Sequence, residues 1–145
     1  MKTSKEGIDL IATFEGFREK AYVCPGGKLT IGYGHTRGVK RGDVVTEEQA
    51  RQLLQEDVAE AEHFVNALVH APLRQNQFDA LVSFVFNVGA TVFRRSSLLK
   101  EVNCDSENYT DIRPRFMAYR LSRGQVIQGL INRRTAEADL YCRTE

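Results

Sequence analysis

The hydrophobic period of the chain changes at residue 46, and this change constrains the fold more than any other feature. Between residues 22 and 45, glycines stand at positions 26, 27, 32, 34, 38 and 42 among β-branched and aromatic residues. That pattern suits short strands joined by tight turns. From Thr46 the apolar residues Ala50, Leu53, Leu54, Val58, Ala61, Phe64, Val65 and Leu68 recur at helical spacing until Pro72. Thr46 and Gln49 form a capping-box pattern at the start, so one long helix is expected. A small β lobe should therefore lead directly into helix.

The flanking segments are helical in period. Ile8, Ile11 and Phe14 follow a Ser cap at Ser4, and Gly16 lies just past the expected end. Residues 75–88 read as an apolar helix stopped by Gly89, with shorter helices expected around 97–102, 115–121 and 132–142. The fold class is α+β. One domain over 1–145 is expected, with a β lobe at about 15–45, a connecting helix at about 46–70, and a helical lobe formed by about 71–145 with 1–14.

Composition excludes several classes of function. With 145 residues, 42% hydrophobic and 27% charged, the chain suits one soluble globular domain and neither disorder nor two domains. Twenty Lys and Arg against nineteen Asp and Glu leave a net charge of +1. No field gathers nucleic acid or an acidic membrane by charge alone. The longest apolar run, 80–93, is interrupted by Ser83, Asn87, Gly89 and Thr91. It is shorter than the roughly 20 residues that cross a bilayer, so no membrane span is expected. The amino terminus carries charge without a following apolar segment, which points to synthesis in a cytosol without a secretory signal. Cys24, Cys104 and Cys142 are odd in number, widely separated and without metal-ligand spacing. A disulfide framework and a structural zinc site are both disfavoured.

The chemistry-bearing residues cluster in FEGFREKAYVCPGGKLTIGYGHT at 14–36. Glu15 ends the first helix before Gly16 and Phe17, apolar surroundings of the kind that raise a carboxyl pKa by desolvation. The plain alternative is a surface Glu pairing with Arg18 or Lys20. Cys24 alone reads as a small buried hydrophobe, and Thr30 as an ordinary strand residue.

The spacing changes that reading. Glu15, eight intervening residues, Cys24, five intervening residues and Thr30 match the catalytic Glu, Asp-or-Cys and Thr of the phage-type lysozymes, glycoside hydrolase family 24. The segments TEEQA at 46–50, QNQFDALVSFVFNVG at 75–89 and GLINRRTAE at 129–137 also resemble that family, so the resemblance covers nearly the whole chain. Two departures stand out. Cys24 occupies a position where better-known members carry Asp, and Tyr119 stands where many carry Trp, a residue this chain lacks.

The resemblance implies a two-lobed lysozyme-like fold, with the lobes joined by the long helix. The implied activity is that of an endolysin, a muramidase hydrolysing the β-1,4 bond between N-acetylmuramic acid and N-acetylglucosamine of peptidoglycan, with host cell lysis as the result. Glu15 would protonate the leaving sugar oxygen, a step that contributes about 10² to 10⁴ in rate. A second group must handle the attacking water or the positive charge at the sugar carbon. Cys24 as thiolate would act as base or nucleophile, provided Lys28 or a turn of backbone N–H groups lowers its pKa. As a thiol it would only help Thr30 hold a water. By the same resemblance His35 pairs with Asp57 as a structural tie, Arg133 neighbours Glu15, and Asn87 lies on the cleft wall. Without it, Arg133 and Asn87 would be ordinary helix residues.

No metal or cofactor is implied. The expected partners are peptidoglycan glycan strands and a holin for export, with the chain a monomer held in the host cytoplasm before release to the periplasm and cell wall. Two other readings share these residues: a catalytically silent peptidoglycan-binding module, and a bacterial effector or bacteriocin toxin on the same fold.

Overall fold

The structure, a computed structural model that describes residues 1–144, opens with helix α1 (Lys5–Glu15). Ser4 caps it by accepting from the Gly7 N–H, and Gly16 ends it at φ 76° with its N–H on Ala12 O. Strands β1 (Arg18–Val23) and β2 (Leu29–Gly32) then pair antiparallel, with Tyr22 opposite Thr30 and a register shift between Arg18 and Tyr22. Lys20 also bridges to Val44, so the end of the glycine-rich stretch returns to the β1 edge.

Helix α2 (Glu47–Leu68) begins with the expected capping box, Thr46 and Gln49 satisfying each other's backbone N–H. Gly32 approaches this helix closely: a Cβ there would lie 3.0 Å from Ala50 Cβ. Tyr33 donates its hydroxyl to Glu47 at 2.7 Å, which ties the end of the β lobe to the first turn of α2.

Helix α3 (Gln75–Val88) is buried on all sides from Asn76 to Val85, because α1, α2 and helix α7 (Gln128–Cys142) surround it. Between α3 and α7 run helices α4 (Ala90–Arg95), α5 (Ser97–Cys104) and α6 (Tyr109–Met117), then a hairpin of β3 (Leu121–Ser122) and β4 (Gln125–Val126). Phe84 anchors this lobe, with Phe93, Phe116 and Tyr119 edge-on at 6.3, 5.6 and 5.1 Å. Tyr119, the residue standing where the family often has Trp, thus serves packing. The architecture is α+β and two-lobed, a small β lobe and a larger helical lobe joined by α2.

Three local expectations differ. The helix expected around 115–121 lies at Tyr109–Met117, since Asn108 accepts from the Asp111 N–H and starts it early. The chain then turns through Arg123 and Gly124, both at positive φ, as a two-residue hairpin demands. Helix α7 starts four residues before the expected Asn132, and α4 was not anticipated because Gly89 both ends α3 and starts α4.

Candidate active site

Glu15 is the last residue of α1, and its side chain is 23% exposed. Arg133 of α7 donates from Nη1 to Glu15 Oε2 at 2.7 Å. The same guanidinium donates from Nε to Glu137 Oε2 at 3.2 Å and from Nη2 to Ser83 O at 3.1 Å, and sits 5.9 Å from the Phe14 ring. Every edge of the fork is thus engaged. The other oxygen of Glu15 faces the β lobe at Gly34, where a Cβ would lie 3.1 Å from Oε1. The surroundings expected to be apolar are therefore ionic on one side and open on the other.

Cys24 and Thr30 are held by the β1–β2 turn. The Gly27 N–H bonds to Cys24 O at 2.8 Å, the Cys24 N–H to Lys28 O at 2.9 Å, and Gly27 sits at φ 84°. Pro25 and Gly26 are the centre of the turn, and Gly27 supplies the left-handed residue that closes such a three-residue loop. The turn folds back over the Cys24 thiol. Hydrogen bonding from the Thr30 hydroxyl, then from the Lys28 and Gly26 backbone N–H groups, pulls that thiol below its ordinary pKa. The Thr30 hydroxyl contributes most to this, with backbone amides behind it. Thr30 is buried, and its hydroxyl lies 3.1 Å from Lys28 O. With a single proton, that hydroxyl bonds either the carbonyl or the sulfur.

His35 Nδ1 lies 2.8 Å from Asp57 Oδ2, and His35 Nε2 lies 2.8 Å from Arg37 O. Arg37 adds a 3.3 Å contact to Asp57 Oδ1. The group joins the β lobe to the middle of α2. Asn87 Oδ1 accepts from Arg134 Nη2 at 2.7 Å, at the end of α3.

Arg134, Glu137 and Ser83 were not singled out by sequence reasoning. Glu137 is fully buried, and its Oε2 accepts from the Ser83 hydroxyl at 2.6 Å as well as from Arg133. Arg134 Nε lies 2.9 Å from Glu137 Oε1, and its guanidinium stacks 5.0 Å from Phe84. Burial pushes the Glu137 carboxyl up, against the pull of Arg134 and Arg133, and pulls Arg134 down. The available signal was spacing: Glu137 follows Arg133 by four and Arg134 by three on one helix. Among the described residues, no group of three or more His, Cys, Asp and Glu is arranged to hold a metal ion.

The chain is 43% identical over 147 residues to an endolysin of Acyrthosiphon pisum secondary endosymbiont phage 1, covering 97% of this chain and 98% of that one. It is 44% identical to an endolysin of Bacillus phage PZA, of which it spans 55% while 97% of its own length is matched. Among solved structures it matches the muramidase domain of SpmX from Asticaccaulis excentricus, with TM-score 0.91, 42% identity and 98% of each chain covered. The family model described as phage lysozyme matches residues 12–137, a stretch that contains Glu15, the Cys24 turn, the long helix and Arg133. On that match and those relatives, the chain belongs to the phage lysozyme family.

Proposed function

We propose that the chain is a muramidase of the endolysin type, cleaving the β-1,4 bond between N-acetylmuramic acid and N-acetylglucosamine in peptidoglycan. The observation that carries this reading is the state of Glu15, with one carboxyl oxygen held by a buried guanidinium and the other facing the β lobe. An acid must be fixed in orientation yet keep one oxygen for its substrate. Glu15 gives its proton to the glycosidic oxygen through Oε1 as the bond to the anomeric carbon breaks. Thr30 holds the attacking water, and Cys24, as the thiolate favoured by its turn, takes up the water proton. Arg133 keeps Glu15 oriented, Asn87 supports the site through Arg134, and the His35–Asp57 pair keeps the β lobe seated on α2.

The chain acts as one monomeric domain over 1–145, its β lobe at about 15–45, its connecting helix at about 46–70 and its helical lobe formed by the rest. It works without metal or cofactor. It is made in the host cytoplasm and reaches the wall through a holin lesion, causing lysis. In support, no helix among the described residues is long and apolar enough to cross a membrane. A second reading, as the muramidase-type domain of a bacterial protein, draws on the similarity to the Asticaccaulis excentricus domain.

The deciding experiment is release of reducing ends from purified peptidoglycan by the wild type beside Glu15→Gln. The isosteric amide should lower activity at least about 10²-fold while leaving the circular dichroism spectrum unchanged. Activity retained at a tenth of wild type would overturn the assignment of Glu15, and an inert wild type would leave a binding module.

A further inference from the structure

We infer that Glu137 is a positioning residue for the proton of Glu15, acting through the Arg133 guanidinium that the two carboxylates share. The inference rests on the reading of Glu15 as the acid. Arg133 bonds Glu15 Oε2 through Nη1 and Glu137 Oε2 through Nε, so one cation bridges a partly exposed carboxylate and a fully buried one. Glu137 Oε2 receives only donors: the Ser83 hydroxyl at 2.6 Å, Arg133 Nε at 3.2 Å and Arg134 Nη2 at 3.5 Å. With a guanidinium against each of its oxygens, Glu137 is held ionised by Arg133 and Arg134 against the burial that pushes its carboxyl up.

The consequence is electrostatic as well as geometric. Arg133 alone would favour the ionised form of Glu15, whereas the proposed chemistry needs the protonated form to persist at the working pH. The negative charge of Glu137 offsets part of the guanidinium charge, and it repels a second carboxylate in a site of low dielectric. The fork is fixed too, because Ser83 O and Glu137 hold the two edges of Arg133 that Glu15 does not use.

Among the described residues, the charged groups bonded to either carboxylate are Arg133 and Arg134, both on α7. Helix α3 contributes Ser83, Asn87 and Phe84 to the cluster, α1 contributes Phe14 and the β lobe Gly34, all uncharged, while Cys24 is the titratable group the β lobe brings to the reaction and belongs to the ascending limb. Asp79, the acidic residue of α3, is bonded to Ser4 and Gln75 at the other end of that helix.

The test is the pH profile of reducing-end release by Glu137→Gln, Glu137→Asp and wild type, with each variant checked for a cooperative melt. In Glu137→Gln the alkaline limb should move down by about one pH unit, a loss of about tenfold along that limb, with kcat falling and KM unchanged. Glu137→Asp, which keeps the charge, should restore the wild-type position of the limb. A folded Glu137→Gln with a profile superposable on wild type would overturn the inference. If Glu137→Gln fails to fold, the double variant Arg134→Met/Glu137→Met decides instead. It replaces the buried pair with apolar side chains of similar length and removes one charge of each sign, so its limb should move in the same direction but by less, Glu137 being the one bonded to Arg133. An unmoved limb there would equally overturn the inference. Glu15→Gln in the same assay separates the two claims: its inactivity with an unshifted Glu137→Gln profile removes only the role of Glu137. An active Glu15→Gln removes the reading beneath it as well.

Discussion

At the scale of single residues, the departure at position 24 is the most informative. A carboxylate needs no help to be ionised near neutral pH, while a thiol does, and the Thr30 hydroxyl with the backbone N–H groups of the 24–28 turn pulls the Cys24 thiol in that direction. Because the shift is downward, the thiolate is present from a lower pH than for an ordinary thiol, and a thiolate-dependent rate rises through that lowered value. Cys24→Asp should therefore retain activity and lose this ascending limb. Cys24→Ser and Cys24→Ala should each lose at least tenfold, about 1.4 kcal/mol of barrier. Rates of the three variants across pH check this, and a Ser variant near wild type would reduce Cys24 to an orienting group. The spacing of Glu15, Cys24 and Thr30 was legible in the sequence because all three lie within one short local unit. The donors at the sulfur were legible only as a condition, since turn geometry decides where an N–H points.

At the scale of elements, one contact packs the helical lobe and another seats the β lobe on α2. Helix α1 crosses α3 at Gly7, where an added Cβ would lie 2.5 Å from Thr3 Cγ2 and 2.7 Å from Asp79 Cγ. Asp79 cannot easily move, since it accepts from the Ser4 N–H at 3.0 Å and Gln75 Nε2 at 2.8 Å. Gly7→Ala would gain about 0.5–1 kcal/mol of helix propensity but lose about 1–3 kcal/mol to overpacking. Overpacking wins, and chemical denaturation should show net destabilisation; a more stable variant would mean that α1 shifts freely. The second contact is Asp57 on α2, which takes His35 and Arg37 from the β lobe. Asp57→Asn leaves the imidazole without its carboxylate and should cost on the order of 1–3 kcal/mol. The melting temperature at neutral pH should fall, with activity measured well below it nearly unchanged. Lost activity at an unchanged melting temperature would instead make His35 a group of the chemistry.

At the scale of the whole molecule, the ends of the chain are closed onto one another by surface ion pairs. Glu6 pairs with Arg143, and Asp9 with Lys5 and Arg51, linking α1 to the residues after α7 and to α2. Hydrogen bonding to Arg143 holds the Glu6 carboxyl below its ordinary value, and bonding to Lys5 and then Arg51 does the same for Asp9. Depressed carboxyl values stabilise the fold above the unfolded-state pKa, and that stability is lost as pH falls through the lower folded-state value. The loss therefore belongs below about pH 4.5. All three pairs lie at the surface, so each is worth under about 1 kcal/mol and is screened by salt. Melting temperature measured from pH 5 to pH 2 should fall less steeply in Glu6→Gln/Asp9→Asn than in wild type. Parallel curves would show that these pairs add nothing.

Local patterns along the chain account for the switch of period at residue 46, the capping box of α2, the glycine turns of the β lobe and the spacing of Glu15, Cys24 and Thr30. Each is a local signal, set by backbone conformation or by neighbours a few residues apart. Long-range burial set the remaining contacts. Arg133 reaches Glu15 across 118 positions. Asn76 of α3 donates to Leu140 O, Tyr141 O and Arg143 O, ending α7 where no glycine does. Asn103 similarly donates to Leu68 O, the last residue of α2, and accepts from the His70 N–H just beyond it. The early start of α6 has a local cause instead, the Asn108 side chain accepting from the Asp111 N–H. A buried polar group must find a partner, and which one it finds depends on packing that no local pattern encodes.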